Sequence, residues 1–180
     1  MSPLESIAFH AKRANRLSWP YFAMVVLWIA AIVQILYFYS QLPPLVASHF
    51  NAAGKANGWM DKETFVKFYL GLMTFLSGLF LAISAIIGGV PVSLWNLPNK
   101  EYWLSDVRRG ETVRFVKTRL AMVGVMVQIL ILAIFQACLN ANANRSYSLG
   151  QTLPWVLIGT FLLFMLWWMV GFIRRFSRMP

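Results

Sequence analysis

Four long windows of this 180-residue chain, residues 17–54, 68–99, 120–144 and 146–173, contain no Asp, Glu, Lys or Arg. A helix needs roughly 20 apolar residues to cross the hydrocarbon of a bilayer, and each window holds one such run. A strand would need only about half that length. In lipid every backbone polar group must be satisfied internally, which favours helices. The sequence therefore predicts an all-α, four-helix transmembrane bundle forming a single integral membrane domain. Its expected spans are 19–39, 65–90, 120–139 and 153–173, joined by an outer loop 40–64 and a cytoplasmic loop 91–119. Composition agrees: 59% of residues are hydrophobic and 12% charged, against about 45–50% and about 25% in soluble domains.

The remaining charges set the orientation. Lys12, Arg13 and Arg16 precede the first span, Lys100, Arg108, Arg109, Arg114, Lys117 and Arg119 lie between the second and third, and Arg174, Arg175 and Arg178 follow the fourth. Only Lys55, Lys62, Lys67 and Arg145 fall on the other side. The positive-inside rule then makes both termini cytoplasmic and turns loop 40–64 outward. The net charge of +10 is thus explained by topology. With no aromatic-basic platform, it does not point to nucleic acid. The expected partner of the basic side is the lipid bilayer, each cation near anionic head groups contributing about 1 kcal/mol. At the N-terminus, Ser2, Pro3 and Glu5 have the spacing of a capping box, and the following residues predict a short amphipathic helix on the inner leaflet.

Polar residues within the spans are few. Gln34, Gln128 and Gln136 are expected to bond across helices, and Gly71, Gly78 and Gly124, with Ser77 and Ser84, to allow close approach. No ionisable side chain lies deep in a span, which disfavours a proton- or ion-coupled transporter. No nucleophile–base pair or carboxylate dyad is present, so no enzymatic activity is expected. No set of His, Cys or carboxylates has metal-ligand spacing, so neither metal nor cofactor is expected, and His49 is only a weak metal candidate.

Two polar cassettes interrupt the apolar runs. In the outer one, Pro43-Pro44 is expected to end the first span, Gly54 and Gly58 to provide turns with positive φ, and Asp61 to cap the second span with Glu63 in its first turn. If the segment is extended, His49 and Asn51 project to one side and Phe50 to the other. A neutral imidazole beside an amide can bind a small polar ligand, share a metal, or satisfy loop backbone. The cytoplasmic cassette, residues 94–104, contains Asn96, Pro98, Asn99, Lys100, Tyr102 and Trp103. These residues can form an interfacial aromatic belt leading into the third span, with Ser105 capping the next helix, or a docking surface for a cytoplasmic partner or lipid head group.

The ordered residues Pro44, Ser48-His49-Phe50-Asn51, Gly54 and Asn57-Gly58-Trp59 resemble the signature of domain of unknown function 1648, over residues 36 to about 67. This bacterial membrane module also occurs at the N-terminus of SdpI-type immunity proteins, which protect producer cells from their own secreted toxin. The chain departs from the pattern at Ala47, where Pro is more usual, at Ser48, where Thr is, and at Asn57, where Asp is. The last departure removes a carboxylate from any ligand set. A similar Asn-x-Pro-Asn-Lys-x-Tyr-Trp segment is found in four-helix members of the family. The resemblance implies a bacterial inner-membrane protein. Its expected function is binding or sensing, or immunity-like recognition, of a periplasmic or extracellular peptide or protein through Pro44, His49, Phe50, Asn51, Gly54, Asn57, Gly58 and Trp59. The alternative is a small transporter or channel subunit, oligomeric because four helices with so few polar faces enclose little water. Homo-oligomerisation is therefore a further expectation.

Overall fold

The computed structural model describes residues 19–178. The amphipathic helix expected near the N-terminus lies outside the described residues. The order of elements is α1 (Trp19–Phe38), β1 (Leu45–Phe50), β2 (Ala56–Asp61), α2 (Lys62–Ile86), a single-turn helix α3 (Lys100–Trp103), α4 (Arg109–Ala143) and α5 (Thr152–Ser177). Helices α1, α2, α4 and α5 are each long and apolar enough to cross a membrane, so the chain is a multi-pass membrane protein. The outer loop differs from expectation: most of it is an antiparallel hairpin of β1 and β2.

Several boundaries move for identifiable reasons. α1 stops at Phe38, well before Pro43. Its open carbonyls are closed by Leu42 N–H bonding Phe38 O at 3.1 Å and by the Gln41 side-chain amide bonding Tyr37 O at 2.9 Å, so the prolines direct the chain into β1 without ending the helix. α2 begins at Lys62, where the Asp61 carboxylate accepts from Thr64 N–H at 2.8 Å. α4 starts at Arg109, not near residue 120. Its 35 residues span about 52 Å at ~1.5 Å per residue, longer than a hydrocarbon core of about 30 Å. The first turns of α4, with Arg114 and Lys117, extend the spanning helix beyond the bilayer in place of a loop. Ser105 does not cap this helix: its hydroxyl donates to Tyr102 O at 3.0 Å, while its carbonyl receives Arg108 and Arg109 N–H.

The main core lies toward the hairpin end and joins α1, α2, α4 and β1. It contains Ala31, Ile35, Phe38, Val46, Phe65, Tyr69, Met73, Phe135 and Leu139. The Tyr69 ring stacks on Phe135, with centroids 3.9 Å apart and planes 9° apart. Gly124 receives the Phe80 ring so closely that a Cβ would lie 2.7 Å from Phe80 Cγ. Gly71 and Gly78 face open space, so their expected packing role is not realised. The span glutamines do bond across helices: Gln34 to Gln136 at 2.6 Å between α1 and α4, and Gln128 to Ser77 at 2.5 Å between α4 and α2. A second core at the basic end joins Trp95, Leu104, Val116 and Phe176. Phe176 is the one buried residue of α5, which leaves this helix peripheral.

The Asp61 cap carries a pH signature. Hydrogen bonds from the Thr64 side chain and backbone N–H hold its carboxyl below the ordinary value. A carboxylate lowered on folding stabilises the protein above its unfolded pKa, about 3.9, and loses that contribution as pH falls through the folded value. Asp61→Ala should therefore lower Tm at pH 7, with the difference from wild type shrinking in acid below pH ~4. Detergent-phase melts at the two pH values check this. Asp61→Asn should retain most of the cap.

Candidate functional site

An isolated two-stranded hairpin is marginally stable in water, so its anchors determine whether it can present a fixed surface. Its base is tied where Lys62 N–H bonds Pro44 O at 2.9 Å. Its flank is tied by Asn142, which is fully buried near the end of α4. Asn142 Oδ1 accepts from Ala47 N–H at 2.7 Å, and its Nδ2 donates to Ala47 O at 2.9 Å and to Cys138 O at 2.8 Å. The side-chain amide thus meets both backbone groups of Ala47, as a neighbouring strand would. The tip is tied to the loop between α4 and α5: Ala56 N–H bonds Tyr147 O at 3.0 Å, and Leu149 N–H bonds Gly54 O at 2.8 Å.

Within this frame the sequence candidates separate into two groups. Pro44 and Phe50 serve the base and the core contact. Asn51 is occupied with its own turn, its Oδ1 accepting from Ala53 and Lys55 N–H, both at 3.0 Å. It is therefore not paired with His49 in a shared polar face. Gly54 has φ +74°, and a Cβ there would lie 2.3 Å from Gly150 O. Gly58, expected in a turn, is a strand residue opposite His49, whose Cβ leaves room only for a glycine: an added Cβ would approach it to 2.8 Å.

His49, Asn57 and Trp59 form the second group, and all three are exposed. The pairing register shifts between Ala47 and His49 and again between His49 and Phe50. Ser48 and Asn57 are the unpaired residues at these shifts, one on each strand, and such bulges re-aim side chains. Within this bulged stretch His49 Nδ1 lies 2.5 Å from Asn57 Oδ1. A carbonyl oxygen only accepts, so Nδ1 is the donor and Nε2 is left with the lone pair in the neutral ring. The amide of Asn57 serves this bond where the related signature has a carboxylate. Trp59 is 44% exposed and meets the Tyr147 ring edge-on, with centroids 4.9 Å apart. The resulting outward surface combines an imidazole acceptor, an amide and two aromatic rings.

Asn142 and Tyr147 were not among the sequence candidates. The one available signal was the Asn140-Ala-Asn-Ala-Asn144 run at the end of the third charge-free window. On a helix Asn142 lies opposite Asn140 and Asn144, so the three amides cannot all face solvent and one needs a partner.

At the basic end, Asn99 adopts φ 51° and its Nδ2 donates to Phe176 O at 3.0 Å. Trp103 Nε1 donates to the same carbonyl at 3.0 Å. These two residues hold the end of α5 to the cassette. Tyr102 lies under the Arg108 guanidinium, 4.1 Å from the ring centroid, while Lys100 is half-buried and Asn96 and Pro98 are exposed.

Residues 25–74, from within α1 through the hairpin to the middle of α2, match the family model of a domain of unknown function, DUF1648. No curated protein and no solved structure matches the chain.

Proposed function

We propose that this membrane protein, a member of the DUF1648 family through residues 25–74, recognises a peptide or protein outside a bacterial inner membrane through its hairpin. The observation that carries this reading is the exposed His49–Asn57 pair on a hairpin fixed to α4 by Asn142. Groups held in place before binding lose less entropy when a ligand arrives. Exposed aromatics beside fixed polar groups are the composition of a recognition surface. Gln34, Gln128 and Gln136 bond to other helices, which favours recognition over transport through a polar path. The basic end would face the cytoplasm.

In the immunity-like form of this function, expression protects sensitive cells from a secreted peptide toxin. His49→Ala should reduce that protection at least tenfold with the protein's level in the membrane unchanged. Full protection by the variant would remove the hairpin imidazole from recognition.

A further inference from the structure

A groove of about 840 Å³ runs between α1 and α4, lined by Val26, Ile29 and Val33 on one side and by Leu132, Gln136 and Asn140 on the other. It extends along α1 from Val26 to Tyr37, about 16 Å at ~1.5 Å per residue. Half of a hydrocarbon core of about 30 Å is ~15 Å, so the groove has the length of one leaflet.

Its polar side chains have a direction. Tyr69 OH donates to Gln34 Oε1 at 2.5 Å, Gln34 Nε2 to Gln136 Oε1 at 2.6 Å, and Gln136 Nε2 to Asn140 Oδ1 at 3.2 Å. The sense is fixed by Leu132 O, a pure acceptor 3.4 Å from Gln34 Nε2: the nitrogen of Gln34 must face α4, and every later amide then follows. The series ends at exposed Asn140, whose Nδ2 has no hydrogen-bond partner among the described residues. An apolar groove one leaflet long therefore terminates, near the hairpin-side surface, in an N–H donor aimed at nothing in the protein.

We infer that this groove is a binding site for a phospholipid of the hairpin-side leaflet, with an acyl chain along Val33 and Val26 and an ester or phosphate oxygen accepting from Asn140. A second copy of the chain fits less well. The outward residues Phe22, Leu163, Leu166 and Trp167 elsewhere on its helices are apolar and offer no acceptor; the same groove face of a second copy, through Tyr37 or Asn140, would supply one.

The test is native mass spectrometry of the detergent-purified full chain titrated with dioleoylphosphatidylcholine, a zwitterionic probe with little preference for the basic end. Wild type should retain one lipid. Asn140→Asp keeps the acceptor for Gln136 but removes the donor, and Val33→Trp fills the groove at a position 58% exposed. Each should lower lipid occupancy at least fivefold, while Leu163→Trp on α5 should not. Equal occupancy in wild type and both groove variants, or no retained lipid in wild type, would overturn the assignment. So would a two-copy assembly abolished by Val33→Trp, which would give the groove to a second protomer.

Discussion

Replacing Asn142 by leucine should release the hairpin from the bundle. Leucine has the same branched outline as asparagine, with bulkier methyl groups, but cannot bond, so Ala47, itself fully buried, would keep its N–H and C=O out of water without partners. Each such group costs about 1–3 kcal/mol, so the loss should be on the order of 3 kcal/mol, a fall in Tm on the order of 10 °C for a chain of this size. The effect should also be local. Hydrogen exchange at the amides of β1 should accelerate well beyond that of the α2–α4 core, because the anchor joins one strand to one helix. Asn144→Ala, at an exposed position two residues further on, should change stability by less than about 0.5 kcal/mol. Similar melting of Asn142→Leu and wild type would mean that the hairpin is held chiefly by its base and tip.

The tip supplies the second large effect, through a pair of glycines with nearly the same backbone conformation. Gly54 has φ +74° and Gly150 has φ +71°. A side chain in that region costs about 1–2 kcal/mol at either position. Only at Gly54 does an added Cβ also meet backbone, 2.3 Å from Gly150 O, whereas Gly150 has nothing within 4 Å. Gly54→Ala must therefore push the hairpin tip from the 147–150 segment and weaken the two backbone hydrogen bonds across that contact. Its total cost should be about 3 kcal/mol, against about 1–2 for Gly150→Ala. Denaturation in mixed detergent micelles can resolve the two. Equal costs would show that φ alone governs the position and that the tip contact contributes nothing.

The four spans were legible because charge exclusion is a bulk property: any long window without Asp, Glu, Lys or Arg must be placed somewhere dry. The sequence also predicts a helix after Ser105 carrying Arg108, Arg109, Arg114 and Lys117, but not that it runs unbroken into the third span. Gly110, Thr112, Val113 and Thr118 are weak helix formers, and charge counting marks where the membrane begins without marking where the helix does. The hairpin was half legible. The alternation around His49 suggested extended backbone, but the cassette lacks the regular two-residue turn of a simple hairpin and its register is interrupted by two compensating shifts. Those shifts change the neighbours of His49. A regular ladder continuing from Ala47–Trp59 would set His49 directly opposite Asn57, whereas here His49 faces Gly58 and Asn57 stands unpaired beside it. Local alternation pointed only to Asn51, two residues from His49. The partner of Ala47 lies 95 residues away in sequence, a separation that no local pattern records.

The claim that the hairpin is the recognition surface is tested most directly by site-specific photo-crosslinking in intact cells. p-Benzoylphenylalanine is placed at position 59, beside His49 and Asn57, and in parallel at position 155 of α5, where Trp155 is also exposed. A discrete higher-mass adduct at position 59, absent at position 155 and lost when His49→Ala or Asn142→Leu is added, is the predicted result. No adduct at position 59 from protein correctly inserted in the membrane, or the same adduct from both positions, would contradict it.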